Sequence, residues 1–114
     1  MIGAITMPVH LGLRIRACML RRNLPLGPII AHPRSQRWTF LVRPDISDAD
    51  VKLYAEMFRS YVTVVRAGGE IALPSPADTK AGFRDWIVPP RDSFRPSGAA
   101  IIDLVRECTR ATLR

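Results

Sequence analysis

Residues 28–44 read PIIAHPRSQRWTFLVRP: two apolar runs, rich in β-branched and aromatic residues, on either side of a five-residue polar turn. Proline has no N–H to donate to a ladder, so the prolines around each run mark where it ends. The pattern predicts an antiparallel hairpin with strands at 29–32 and 38–42. A hairpin commits the chain to a sheet, and the flanking segments decide what covers it.

Upstream, residues 8–22 predict a helix with Thr6 as its N-cap. Val9, Leu13, Ala17 and Leu20 recur at three- and four-residue steps and are the expected inward face. Basic residues crowd its last turn, where the helix dipole favours cations, and the run NLPLGP (23–28) stops it. Downstream, DISDAD (45–50) leads into a helix over 48–60. Ser47 is the expected N-cap, Asp48 and Asp50 occupy the first turn, and Val51, Leu53, Tyr54, Met57 and Phe58 make the apolar side. The Asp48-x-Asp50 spacing invites a metal reading. On a helix, however, residues two apart do not face each other, and capping accounts for both acids.

YVTVVR (61–66) reads as a strand, Gly68 and Gly69 as a tight turn and 70–73 as the return strand. The glycine pair is not a phosphate loop, because no GxxxxGK[ST] is present and a strand follows instead of a helix. A loop at 75–82 precedes a strand within FRDWIVPP (83–90). Ser97 then caps a last helix, 98–112, with Ile101, Ile102, Val105 and Cys108 inward. The order α-β-β-α-β-β-β-α predicts an α+β domain, a mainly antiparallel sheet of about five strands with three helices on one side.

A chain of 114 residues is one domain (1–114). The basic helix and turn of 1–27 form a candidate peripheral element on an α+β core at 28–114. No run approaches the roughly 18 apolar residues of a membrane span, and the first residues lack a secretory signal. Cys18 and Cys108 show no CxxC and no histidine at ligand spacing, so both are expected as small apolar thiols in a reducing, cytoplasmic setting, without a metal. No cofactor motif is present. Ser75, Ser93 and Ser97 have no neighbouring histidine, so nothing assembles nucleophile, base and orienter.

Charge is the strongest functional signal. Seven arginines and no acid fall in residues 1–44, against ten basic and ten acidic residues in 45–114, so the whole net charge of +7 sits in the first part of the chain. Such a field attracts polyanions by a salt-sensitive, sequence-independent term. The expected partner is nucleic acid, held by Arg14, Arg16, Arg21 and Arg22 of the first helix and by Arg34 and Arg37 of the turn. His32 and Trp38 stand beside that turn, and Arg84 and Trp86 come from the last strand. Interleaved arginine, histidine and aromatic residues suit phosphates and stacked bases. The same composition serves a polar turn whose tryptophan anchors a core. An acidic protein surface is the alternative partner, and a first helix with one exposed Leu/Val-rich side also allows a homodimer.

The stretches LGPIIAHPRSQRWTFLV (26–42) and GGEIALPSPADTKAGFRDWIVPPRDSFRPSGAAIIDLVREC (68–108) resemble the later half of small actinobacterial proteins related to the bifunctional DNA primase/polymerase (prim-pol) domain. The matching positions are 69–75, 82–86 and the pair Pro89-Pro90. The resemblance implies a nucleic-acid role. Catalytic members carry a strand-borne acidic pair, a third carboxylate and a nucleotide-contacting histidine that together serve two metals. Here Glu70 stands on an expected strand and His32 is placed to stand near a phosphate, but no D-x-D or D-x-E falls on an expected strand and one carboxylate cannot hold a metal pair. What the resemblance implies for this chain is therefore a truncated, non-catalytic relative.

Overall fold

The computed structural model of the chain describes residues 2–65 and 84–112. They form strands β1 (Gly3–Pro8), β2 (Ile29–His32), β3 (Arg37–Val42), β4 (Thr63–Val65) and β5 (Asp85–Val88), with helices α1 (Val9–Arg21), α2 (Val51–Arg59) and α3 (Gly98–Thr112). The sheet order is β4-β1-β3-β2-β5, with every neighbouring pair antiparallel. This is the α+β architecture expected from the sequence. The decisive hairpin is in place, paired from Ile29 with Phe40 to His32 with Arg37. The expected turn at Gly68 and Gly69, the return strand 70–73 and the loop 75–82 lie outside the described residues.

Strands β1 and β2 are both antiparallel to β3, so they run parallel to each other with β3 between them. With α1 and α2 as the crossovers, the first six elements make the split βαβ arrangement. Strand β5 extends that sheet beside β2, and α3 joins the helical layer.

Strand β1 is absent from the sequence-based expectation, which makes Thr6 a helix cap. In the structure Thr6 lies in β1 opposite Thr39. The cap position of α1 falls on Pro8, without a side-chain cap bond, and the Val9 N–H donates to the Gln36 carbonyl at 3.0 Å. The reason is burial on two faces: β1 sits between β3 and β4, and Ala4, Ile5 and Met7 are all fully buried. A strand without a wet face shows no alternation of apolar and polar residues. The segment 1–27 is accordingly no peripheral element, since it supplies a central strand and a core helix.

Helix α1 also turns a different face inward. Leu11, Ile15, Cys18 and Met19 are buried, whereas Leu13 and Leu20 are 48% and 52% exposed and Ala17 is exposed as well. Apolar residues surround this helix, so two stripes fit its period. Two local features select between them. The helix follows β1 without a loop, which fixes its phase, and Gly12 lets it settle on Trp38: a Cβ at Gly12 would lie 2.8 Å from Trp38 Cε3.

In α2 the cap is Asp50, which accepts the Leu53 N–H at 3.1 Å, while Ser47 Oγ accepts from Ala49 at 3.2 Å. Only Met57 is fully buried. Val51 and Phe58, expected inside, point outward because α2 packs along the edge strand β4 and buries a narrow strip.

Helix α3 completes the core. Ile101, Ile102, Leu104 and Val105 are buried against α1 and β1. Its first turn is capped twice, by Ser97 Oγ accepting from Ala100 N–H at 3.3 Å and by Asp45 Oδ1 accepting from Ala99 N–H at 3.0 Å. The Ser97 hydroxyl also donates to Asp45. Desolvation pushes the Asp45 carboxyl up, but these hydrogen bonds and the Arg43 charge outweigh it and hold its pKa below the ordinary carboxylate value. Arg22–Glu107 (2.7 Å) ties α3 to α1, and Arg106–Glu56 (2.9 Å) ties it to α2. Pairs this exposed contribute roughly 0–1 kcal/mol, so they fix the helix's position while the apolar face supplies its stability.

Alternation then divides the sheet. Ile5, Met7, Ile29, Ala31, Trp38, Phe40 and Val42 face the helices, and Ala4, Ile30 and Leu41 form a second cluster with Val65 and Trp86 on the opposite face.

Candidate nucleic-acid interface

The fold distributes the ten residues singled out from sequence over both layers. Arg14, Arg16, Arg21 and Arg22 belong to α1 and its C-cap. Arg14 and Arg21 are exposed and Arg16 is half-buried, and Arg22 is engaged with both carboxylate oxygens of Glu107. Arg34 is exposed in the β2–β3 turn. His32 and Arg37 stand on the far side of the sheet, with Arg84 close enough to lower the His32 pKa and with Trp86 packed on the second cluster. Trp38 is corrected by the structure. It is 6% exposed and its ring lies against Gly12, so no face of it is open to a base.

On the far side of the sheet the side chains form a polar chain across three strands. His32 Nε2 meets Thr39 Oγ1 at 2.8 Å, and Thr39 Oγ1 meets Thr6 Oγ1 at 3.0 Å. Arg37 gives one guanidinium nitrogen to backbone, its Nη2 donating to the Thr6 carbonyl at 2.9 Å and the Tyr61 carbonyl at 2.7 Å. It thereby pins the end of α2 to β1. Burial lowers the His32 pKa below 6.5, and the charges of Arg84 and Arg37 lower it further. The sign of the stability effect follows. Below about pH 6.5 the unfolded chain takes up a proton that the folded histidine refuses. Stability is therefore full above that pH and declines as pH falls from it toward the folded pKa. His32→Gln, which can keep a bond to Thr39, is expected to flatten this decline in melts run between about pH 7.5 and 5.

The element ends around this chain create a surface that the sequence did not reveal. The N-terminus of α1, the β2–β3 turn and the segment after α2 surround an open groove of about 760 Å³, lined by His10, Leu13, Ser35, Gln36, Arg37 and Tyr61. Tyr61 is 75% exposed, and Phe58, one helical turn earlier, is 76% exposed. Tyr61 has φ 61°. It occupies the left-handed position after the helix, where its N–H donates to the Phe58 carbonyl at 3.0 Å and the Val62 N–H to the Met57 carbonyl at 2.9 Å. Glycine is the usual residue there, because a Cβ in this conformation costs about 1–2 kcal/mol. A bulky, solvent-facing aromatic held at such a position is the kind of backbone outlier that points to a role. The sequence pattern places Phe58 on the apolar side of the helix and Tyr61 at the start of a strand. The available signal was the change of period between them, which leaves neither residue with a buried register.

No family model, curated protein or solved structure matches the chain. Among the described residues, no group of three or more histidine, cysteine, aspartate or glutamate side chains is placed to hold a metal. Asp85 is the one described carboxylate within a strand, and it is exposed. No described helix is long and apolar enough to cross a membrane.

Proposed function

We propose that the protein binds nucleic acid without acting on it, taking unpaired bases on Phe58 and Tyr61 and phosphates on the arginines around the α1 and β2–β3 end. The observation that carries this reading is Tyr61, about three-quarters exposed in the lining of a groove that holds His10 and Arg37 and no acidic residue, with Phe58, equally exposed, three residues before it. Arg34 and Arg59 are exposed on the adjoining turn and helix end. Aromatic faces accept any base and give about 1–3 kcal/mol per stacked base, while arginines track the backbone. The excess of arginine in residues 1–44 supplies the long-range attraction. The resemblance to primase/polymerase domains favours nucleic acid over other polyanions.

Tyr61→Gly separates binding from stability. Removing the ring is expected to weaken an oligonucleotide complex by about tenfold. Relief of the left-handed strain is expected to stabilise the fold by about 1 kcal/mol, raising the melting temperature by several degrees. Fluorescence anisotropy with single- and double-stranded oligonucleotides at about 50 and 200 mM salt reads the first effect, and a thermal melt reads the second. Micromolar binding to the single strand that falls with salt and with Tyr61→Gly supports the reading. Absence of binding at the lower salt, or binding indifferent to Tyr61, overturns it.

A further inference from the structure

At the opposite end of α1 lies a different surface, and its chemistry is not that of a phosphate track. The last turn of α1, the segment leading to β2 and the chain after β5 enclose a groove of about 520 Å³. Leu20, Leu24 and Phe94 project into it from the rim, 52%, 40% and 41% exposed, and Val88 lies in its wall. Arg16 and Arg91 line the same groove. Arg16 Nε is buried and donates to nothing among the described residues. A buried guanidinium donor left without an acceptor is rare and costly in a folded protein. The groove's one acid, Asp92, already accepts the Phe94 N–H at 2.9 Å. Across the Leu24–Phe94 rim, Arg22 is neutralised by Glu107, so the uncompensated positive charge falls on the Arg16 side.

We propose that this groove docks an acidic amphipathic segment of another protein, with a leucine-type side chain between Leu20, Leu24 and Phe94 and a carboxylate accepting from Arg16. Charge decides the occupant. A second copy docked symmetrically through this face would bring the acid-free helix α1, with Arg14 and Arg21, against the same arginines, and like charges brought together would oppose that contact. A nucleic-acid backbone would find only Arg16 and Arg91 for its phosphates on a wall that is otherwise mostly leucine, proline, isoleucine, valine and phenylalanine. A concave groove also does not match a flat lipid surface. A helix carrying apolar anchors at three- and four-residue steps, flanked by glutamates, meets both the apolar wall and the half-buried Arg16 side chain in it. Residues of the oligonucleotide surface play no part in this site.

The test uses the whole chain and a labelled synthetic peptide in which leucine recurs every third or fourth position among glutamates, together with the same peptide carrying glutamine for glutamate. The acidic peptide is expected to bind at about 50 mM salt and the glutamine peptide at least about fivefold more weakly. Phe94→Ser is expected to cost about tenfold and Arg16→Gln about fivefold, with melting curves showing that both variants remain folded. Tyr61→Gly is expected to leave peptide affinity unchanged, which keeps this site independent of nucleic-acid binding. No binding of the acidic peptide, equal binding of the two peptides, or affinity unmoved by both groove variants overturns the proposal.

Discussion

Val105→Asp is expected to leave the chain unfolded at room temperature, with helical circular dichroism lost and no cooperative melt. Val105 has no exposed surface and sits in the core cluster where α3 crosses the sheet. The substitution removes a buried apolar side chain, about 1.5–3 kcal/mol, and puts a carboxylate where no described residue offers it a partner. An unpaired buried charge costs several kcal/mol more, even after its pKa rises to keep it neutral. Domains hold only about 5–15 kcal/mol in all, so the sum reaches the whole stability. Asp103→Asn on the same helix is the control. That side chain is 72% exposed and its contact with Arg106 is 3.5 Å, so its melt is expected to shift by no more than about 0.5 kcal/mol. A folded Val105→Asp protein melting within a few degrees of the parent would refute the placement of α3 as a core helix.

Gly12→Ala is expected to destabilise the fold by about 1–2 kcal/mol, against the direction that helix propensity gives. In an exposed helix interior, alanine for glycine gains about 1 kcal/mol. Here the new methyl would sit 2.8 Å from Trp38 Cε3 and 3.2 Å from Trp38 Cβ. The ring cannot swing away to make room, because its own Cβ is in the contact, so either α1 lifts or β3 bends. Overpacking of this kind costs about 1–3 kcal/mol. Urea denaturation checks the sign. Trp38→Leu should recover part of the loss in the double variant, and a positive coupling between the two changes locates the cause at that contact. A Gly12→Ala protein more stable than the parent would mean that α1 stands farther from β3 than described.

All three helices and the β2–β3 hairpin were legible, for different reasons. β2 and β3 announce themselves by β-branched runs between prolines, and α3 by a cap followed by a steady apolar stripe, and their spans come out almost residue for residue. Strand β1 was hidden because a doubly buried strand carries no alternation, and Thr6 looks like a cap when its partner Thr39 is 33 residues away. The inward face of α1 was misassigned because the deciding contact, Gly12 on Trp38, is tertiary. The same holds for α2, whose Val51 and Phe58 face solvent only because the helix lies over an edge strand. Site residues fared alike: composition cannot say that Trp38 is consumed by the core, that Arg22 is neutralised by Glu107, or that Tyr61 stands clear.

The strand made earliest is finished by the helix made last. Ile5 and Met7 of β1 are completed by Val105 and its neighbours in α3, a hundred positions later in the chain. At a synthesis rate of about 5–20 residues per second, these side chains emerge from the ribosome and wait on the order of five to twenty seconds for the surface that covers them. During that interval the nascent sheet has an open apolar side. Successful production of the protein then depends on whatever shields that side as much as on the stability of the finished fold, and slow translation of the codons for α3 lengthens the exposure without changing a single residue.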